Sequence, residues 1–189
     1  MPGAPLLEFK NLKSWAAWLK NNSQTANEVW VRFFKKASGV QSISYSEALD
    51  EALCWGWIDG QIKAGDSKSW LRRFTPRIQN SKWSKRNREH VERLIKIGRM
   101  RARGIAQVEA AKADGRWEQA YSSPSEAKLP SDFLRELKKD KIAEAFFKTL
   151  NKANLYSIVY RLETAKKSET RKRWINQILA MMKEGKKFH

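Results

Sequence analysis

Nine tryptophans in a chain of 189 residues are the feature that most limits how this chain folds. Together with eight phenylalanines and four tyrosines, they supply rings that each bury roughly 150–250 Å². That much apolar surface builds a core and excludes wholesale disorder. At this length we expect one domain, or a small domain with a helical appendage. A lone Cys54 excludes a disulfide scaffold, and its apolar neighbours predict a buried small side chain.

The charge of the chain is high and unevenly distributed. Its formal net charge is +18. Residues 39–62 contain four acids and no base, whereas residues 63–103 contain fourteen bases and three acids. A second basic cluster follows near the end: Lys166, Lys167, Arg171, Lys172, Arg173, Lys183, Lys186 and Lys187. Such a balance favours anionic partners, among them nucleic acid, phosphorylated metabolites and lipid headgroups. The alternative is that these charges are simply solvated faces.

The first part of the chain mixes helix and strand signals. Apolar spacing predicts a helix over 10–20 and another after a cap at Ser44 or Ser46. Alternating and β-branched residues predict strands at 28–35, 57–63 and 68–75, with Gly60 marking a bulge or a close backbone approach. The expected product is a small antiparallel sheet with covering helices.

From residue 84 onward the spacing is helical. Ile95 is expected to face inward, His90 to lie on an exposed face, and Ser168 to cap the last helix. The Ser- and Pro-rich segment 122–130 is the best linker candidate. We therefore predict an α+β domain at 1–121, a linker at 122–130 and a mostly α-helical C-terminal region at 131–189.

Neither membrane insertion nor export is expected from the sequence. No uncharged apolar run approaches the ~20 residues that a membrane-spanning helix needs. The first ten residues lack the apolar core of a secretory signal and contain Glu8. The expected location is the cytoplasm.

Residues 55–87 interleave aromatic rings with basic side chains, a composition that suits an anionic or aromatic ligand. A strand through this region places Arg72 and Arg73 on opposite faces. The residues of the candidate ligand site are Trp57, Asp59, Arg73, Arg77, Trp83 and Asn87. The alternative is that the rings fill the core while the arginines snorkel or pair with Asp59 and Glu51.

Asp59 is an isolated carboxylate in an apolar strand. As a structural residue it would form a turn or a salt bridge to Arg73 or Arg77; as a functional one it would contact a ligand or act as a general base. His90, His189 and Cys54 are too few and too scattered for a zinc site, and no glycine-rich phosphate loop is present. No catalytic residues, metal or cofactor are predicted, and the balance favours a protein that is not an enzyme.

Several segments of the sequence resemble the YdeI/OmpD-associated family. They are YSEALDEALCWGWIDGQ (45–61), RFTPR (73–77), WSKRN (83–87), GRM (98–100), AAKADGRW (110–117) and AKKSETR (165–171). The resemblance runs from about residue 15 to 185. It implies links to bacteriocin protection and to an outer-membrane porin, and it carries no catalytic residue across to this chain.

Three functions are open at this point. The first is a cytoplasmic stress or bacteriocin-resistance protein whose Trp/Arg-lined site binds an anionic or aromatic small molecule. The second is a nucleic-acid-binding protein that uses the basic stretch 63–103 and the C-terminal basic cluster. The third is an enzyme of unknown reaction with Asp59 in its site.

Overall fold

The computed structural model describes residues 4–188, which form two compact units. Unit 1 comprises the chain through Ser81 together with residues 87–118, and unit 2 comprises residues 82–86 and the chain from 119 onward. The predicted α+β class with a helical C-terminal part is confirmed. The proposed boundaries at 121 and 131 stay a prediction, although residues 122–130 contain neither helix nor strand.

Unit 1 contains a four-stranded sheet in the order β1-β2-β4-β3. The three predicted strands are confirmed as β2 (Val29–Phe34), β3 (Trp57–Ala64) and β4 (Ser69–Pro76), and β4 pairs antiparallel with both neighbours. A fourth strand that the sequence analysis missed, β1 (Leu6–Glu8), pairs parallel with β2, so the sheet is mixed. Three residues are too few to show the alternation that reveals a strand.

The bulge predicted at Gly60 is present in β3. Asp59 lies opposite Phe74, but the next paired residue, Ile62, lies opposite Arg72, so β3 contains an extra residue between these two pairs. A β-bulge of this kind increases local twist and changes the register of the residues beyond it. Asp59 lies opposite Phe74 and therefore shares a sheet face with it. Arg72, two residues before Phe74, lies on the same face and is the ion-pair partner of Asp59.

Helices α1 (Leu12–Asn22) and α2 (Tyr45–Cys54) pack on one face of the sheet. Of the two predicted caps, Ser44 is the one used, and it forms a reciprocal capping box with Glu47. The core holds the aromatic and aliphatic side chains expected from the composition: Trp15, Leu19, Val29, Val31, Phe33, Trp57 and Phe74. The indole N–H of Trp15 donates to the Ala48 carbonyl at 3.0 Å.

Helices α3 (Lys85–Lys96) and α4 (Ala102–Ala113) follow the sheet, and apart from the first two residues of α3 they belong to unit 1. Gly104 allows α4 to approach α2, since a Cβ there would lie 2.4 Å from the Cys54 carbonyl oxygen. Cys54 is fully buried, as predicted. The inward orientation predicted for Ile95 is wrong: it is 40% exposed, because the buried stripe of α3 runs through Asn87, Val91 and Leu94.

Unit 2 is built from α5 (Ser131–Leu137), α6 (Lys141–Phe147), α7 (Lys152–Glu163) and α8 (Ser168–Lys183). Its core is formed mainly by Phe133, Leu137, Ile158, Leu162, Ile178 and Met182. Ser168 is not the cap predicted for α8; Lys167 occupies that position, and the Ser168 hydroxyl donates to Glu169 at 2.9 Å. Among the helices within residues 4–188, none is long and apolar enough to cross a membrane.

Candidate functional site

Two of the six predicted site residues, Arg73 and Arg77, line a single cleft in unit 1. The cleft has a volume of about 580 Å³. A third arginine, Arg103, lies in the same lining and was not among the predicted residues. Polar side chains complete much of the remaining wall: Gln24, Asn27, Thr75 and Ser81.

Arg73 and Arg77 reach the cleft because of their positions along β4 and just beyond it. Arg73 pairs in register with Trp30 and ion-pairs with Glu28, the residue before β2. Arg77 follows the strand, and its backbone N–H donates to the Gly56 carbonyl at 2.9 Å. Its side chain is buried, and its Nη2 donates to the Ser81 carbonyl at 3.3 Å.

Arg103 enters the cleft from the first turn of α4. Its Nη1 donates to the Ser23 carbonyl, at the end of α1. Gly56 has a φ of +73°, and a Cβ there would lie 3.3 Å from Arg103 Cγ. A left-handed conformation with so little space favours glycine, so this residue both ends α2 and leaves room for the arginine.

The charged side chains that line the cleft are all positive. No Asp or Glu is among the described residues that line it. Arg73 is compensated by Glu28, whereas Arg103 has no carboxylate partner within the described part of the chain and donates to a backbone carbonyl. A guanidinium has five N–H donors, so one carbonyl bond leaves most of the hydrogen-bonding capacity of Arg103 for a ligand.

Trp57 does not line the cleft. Its ring is fully buried, and its indole N–H donates at 3.1 Å to the same Ser23 carbonyl that accepts from Arg103. Trp57 therefore fixes a carbonyl that also positions Arg103, while its ring belongs to the core. This agrees with the alternative in which the rings fill the interior.

Asp59 belongs to a separate cluster on the core-facing side of the sheet. Its Oδ2 accepts from Tyr45 Oη at 2.6 Å and from Arg72 Nε at 2.9 Å. The predicted salt bridge to Arg73 or Arg77 is wrong, because Asp59 shares its sheet face with Phe74 and Arg72, and Arg73 points to the other face. Burial and the neighbouring Asp59 raise the pKa of Tyr45 to about 12.

Asp59 pairs with Arg72 of the region 55–87, as expected, whereas Glu51, the other acid expected to pair there, and its neighbour Asp50 pair with arginines outside that region. Glu51 accepts from Arg99 Nη2 at 2.8 Å and from Trp55 Nε1 at 2.9 Å. Asp50 accepts from Arg93 at 2.5 Å, and its other oxygen lies 2.6 Å from His90 Nδ1. His90 is therefore half-buried, and its predicted exposure is wrong.

The last two predicted residues are buried and do not line the cleft. Asn87 lies on α3 in unit 1, whereas Trp83 belongs to unit 2 and is 2% exposed.

Burial raises the pKa of the Cys54 thiol to about 11, which disfavours the nucleophilic thiolate. In residues 4–188, no three His, Cys, Asp or Glu side chains are grouped closely enough to hold a metal ion.

Comparison with known families divides the chain in two. The model of a family described as Domain of unknown function (DUF8412) matches residues 7–107, more than half of the 189 residues. The chain belongs to this family. In this DUF8412 protein, the matched region contains the sheet except for Leu6, helices α1 to α3 and every residue named above as lining the cleft.

A second family model, described as Bacteriocin-protection, YdeI or OmpD-Associated, matches residues 126–185. The predicted YdeI/OmpD-associated resemblance is thereby confirmed for a segment that covers α5 to α8. Of the segments that suggested the resemblance, only 165–171 lies within this match, while 45–61, 73–77, 83–87 and 98–100 lie in the DUF8412 match. No curated protein and no solved structure matches the chain.

Proposed function

We propose that unit 1 of this DUF8412 protein binds the anionic group of a small molecule, a phosphate or a carboxylate, in the cleft lined by Arg73, Arg77 and Arg103. The observation that carries the proposal is the presence of three guanidinium groups around one cleft whose described lining contains no carboxylate. The planar fork of arginine matches the oxygens of phosphate and carboxylate.

The size of the cleft supports a small-molecule ligand. A volume of about 580 Å³ lies within the ~300–1,000 Å³ that is usual for such sites. The side chains of Asn27 and Thr75 offer neutral donors and acceptors beside the arginines. These groups would orient the uncharged part of the ligand, while the arginines hold its anionic end.

Arg103 is the residue to which we assign the largest contribution. Arg73 already has a carboxylate partner in Glu28, so a ligand competes with that ion pair. Arg103 is half-buried and bonds to a neutral carbonyl, without a counter-charge from the described residues. An anion bound there would receive charge-assisted hydrogen bonds, which are roughly twice as strong as neutral ones.

The YdeI/OmpD-associated match extends the proposal to a biological role. Its description names bacteriocin protection, and we assign the chain a cytoplasmic role in bacteriocin or stress resistance. At a net charge of +18, it would repel cationic peptides, so direct sequestration of such bacteriocins is disfavoured. Binding of an anionic metabolite fits the charge better.

Titration calorimetry with pyrophosphate and with citrate tests the site. We expect the wild-type protein to bind at least one of them and Arg103→Gln to weaken that binding by about tenfold or more, the loss of one charge-assisted hydrogen bond. Arg103→Lys keeps the charge but loses the planar fork, so its affinity for the anion should lie between those of the wild type and Arg103→Gln.

The matched control is Arg135→Gln, which removes the same charge from an arginine of unit 2 whose side chain is 71% exposed. It should leave the affinity unchanged. Equal weakening by both variants would show a non-specific charge effect and overturn the proposal, as would the absence of binding by either anion. Melting curves of both variants report whether the fold is intact.

A further inference from the structure

Unit 2 carries most of the excess positive charge of the chain. It has more than twice as many basic as acidic side chains. Its ion pairs involve Arg135, Lys139, Arg171, Lys183 and Lys186. Six of the remaining cations lie near the turn between α7 and α8 or at the end of the described chain.

A group of four residues, Arg161, Arg173, Trp174 and Phe188, organises part of this charge; we call it the Trp174 cluster. The Arg161 guanidinium carbon lies 4.5 Å from the centroid of the Trp174 ring and 5.5 Å from that of Phe188. The Arg173 guanidinium carbon lies 5.8 Å from the Trp174 centroid. The two rings are themselves 6.1 Å apart in an edge-to-face arrangement.

The two arginines of the cluster are held by ring contacts in place of carboxylates. Neither Arg161 nor Arg173 forms an ion pair with any residue of the described chain, and Arg173 is exposed. A guanidinium stacked on a ring keeps its N–H edges for hydrogen bonds to phosphate oxygens. The indole of Trp174 therefore orders two cationic groups without neutralising them.

Further cations extend the cluster into a surface. Lys166 and Lys167 occupy the turn before α8, Lys172 precedes Arg173, and Lys187 precedes Phe188; all four are exposed. Gln177 lies one turn beyond Arg173 on the same side of α8, where it adds a neutral donor and acceptor. Cations spread in this way fit a chain of phosphates better than a single anion.

We infer that the Trp174 cluster and the lysines around it bind single-stranded nucleic acid, the lysines through its phosphates and the arginines through phosphates and unstacked bases. The plane of an exposed guanidinium such as that of Arg173 stacks on such bases. A lipid surface fits less well, because adsorption needs exposed apolar side chains beside the cations. Among the described residues of unit 2, Ile142 on α6 is the one large apolar side chain that is exposed.

Of the two basic regions that the sequence suggested for nucleic acid, the C-terminal basic cluster thus carries the proposed contact and the stretch 63–103 does not. Most arginines of that stretch already face carboxylates within unit 1. The pairs are Arg72 with Asp59, Arg73 with Glu28, Arg88 with Glu92, Arg93 with Asp50 and Arg99 with Glu51. An arginine that is paired with a carboxylate adds little to the electrostatic field outside the protein.

Fluorescence anisotropy of labelled oligothymidylate and oligouridylate with the full chain, across a series of salt concentrations, tests the inference. The double variant Arg161→Gln/Arg173→Gln should bind about tenfold more weakly or worse, since it loses charge-assisted contacts. The slope of log affinity against log salt should become shallower by about 1.4, the value for two phosphates of a single strand. The double variant Arg135→Gln/Lys139→Gln removes the same charge elsewhere in unit 2 and should have a much smaller effect.

Three outcomes would overturn the inference: no binding of either oligonucleotide by the wild type at low salt, equal loss from both double variants, or binding of phosphatidylglycerol vesicles without binding of oligonucleotide. If Arg161→Gln unfolds unit 2, Arg161→Lys/Arg173→Lys replaces it. That variant keeps the charge and loses the planar groups, so it should retain the salt slope while losing part of the affinity. These measurements do not involve the cleft of unit 1, so the two proposals fail separately.

Discussion

The two units differ in how they compensate their arginines. In unit 1, three carboxylates with side chains only 8–11% exposed, those of Asp50, Glu51 and Asp59, each bind an arginine. In unit 2, the carboxylates of the ion pairs are 25–59% exposed, and Arg161 and Arg173 contact rings. Arginines such as Arg72 and Arg99 are therefore structural links in unit 1, whereas Arg161 and Arg173 of unit 2 keep a charge that no described carboxylate compensates.

The difference shows why total charge is a poor guide to a binding surface. A cation that sits against a poorly solvated carboxylate has lost its long-range field and has become part of the packing. Arg72 and Arg99 are of this kind, whereas Arg103, also in unit 1, is not, because it bonds to a carbonyl. Binding sites are to be sought where the counter-charge is missing.

The largest effect that tests this comparison is expected from Asp59→Asn. It leaves Arg72 and the Tyr45 hydroxyl without their carboxylate, and breaking a buried pair in this way costs about 3 kcal/mol. The corresponding change in unit 2, Asp132→Asn, removes a pair whose carboxylate is 34% exposed and should cost about 1 kcal/mol or less. Urea unfolding of both variants measures the difference. Equal costs would contradict the distinction between the units, and a folded Asp59→Asn protein of wild-type stability would return Asp59 to consideration as a functional residue.

A smaller effect is expected in alkaline solution. The pKa of Tyr45 is raised to about 12 by burial and Asp59, and that of Tyr156 is raised to about 12 by burial and two neighbouring tyrosines. A phenol with a raised pKa stabilises the fold fully below its unfolded pKa of about 10 and loses that contribution as pH rises toward 12. Tyrosinate absorbance should show two late-titrating groups. In Asp59→Asn the pKa of Tyr45 should shift toward 10, whereas the pKa of Tyr156 should not change.

The smallest effect is expected in acid. Hydrogen bonds from Arg171 lower the pKa of Asp132 below its usual value, so this carboxylate stabilises unit 2 above that value and the contribution is lost as pH falls through the folded pKa. Because the pair is partly exposed to solvent, it contributes less than about 1 kcal/mol to the free energy of unfolding. Melting temperatures measured between about pH 5 and pH 3 should fall less for Asp132→Asn than for the wild type. If the melting temperatures of the two proteins fall in parallel, the Asp132–Arg171 pair contributes nothing to stability.

The elements that the sequence predicted well are those specified by neighbouring residues. The strands of the hairpin, the Gly60 bulge and the Ser44 cap follow from alternation, turn residues and a side chain that reaches its own helix. Ser168 was misassigned as a cap because several polar residues precede α8, and nothing local distinguishes the first helical residue from the one before it.

The candidate site was predicted only in part. Arg73 and Arg77 lie four residues apart around the end of one strand, so their proximity was visible in the sequence. Arg103 was counted in the basic stretch but was not assigned to the site, since α4 reaches the cleft by packing on α2 through Gly104. The pairing of Asp50 with His90 and Arg93 spans two helices and leaves no local signal.

By itself the sequence determined that this chain has an aromatic core, a small sheet with helices, a helical C-terminal part and a large positive charge, because composition and periodicity encode which residues are buried. Only the tertiary structure decided which arginines face a carboxylate, a carbonyl or a ring. That choice depends on strand register and helix packing between residues far apart in the chain. For charged groups, these partners determine whether an arginine supports the fold or remains available to a ligand.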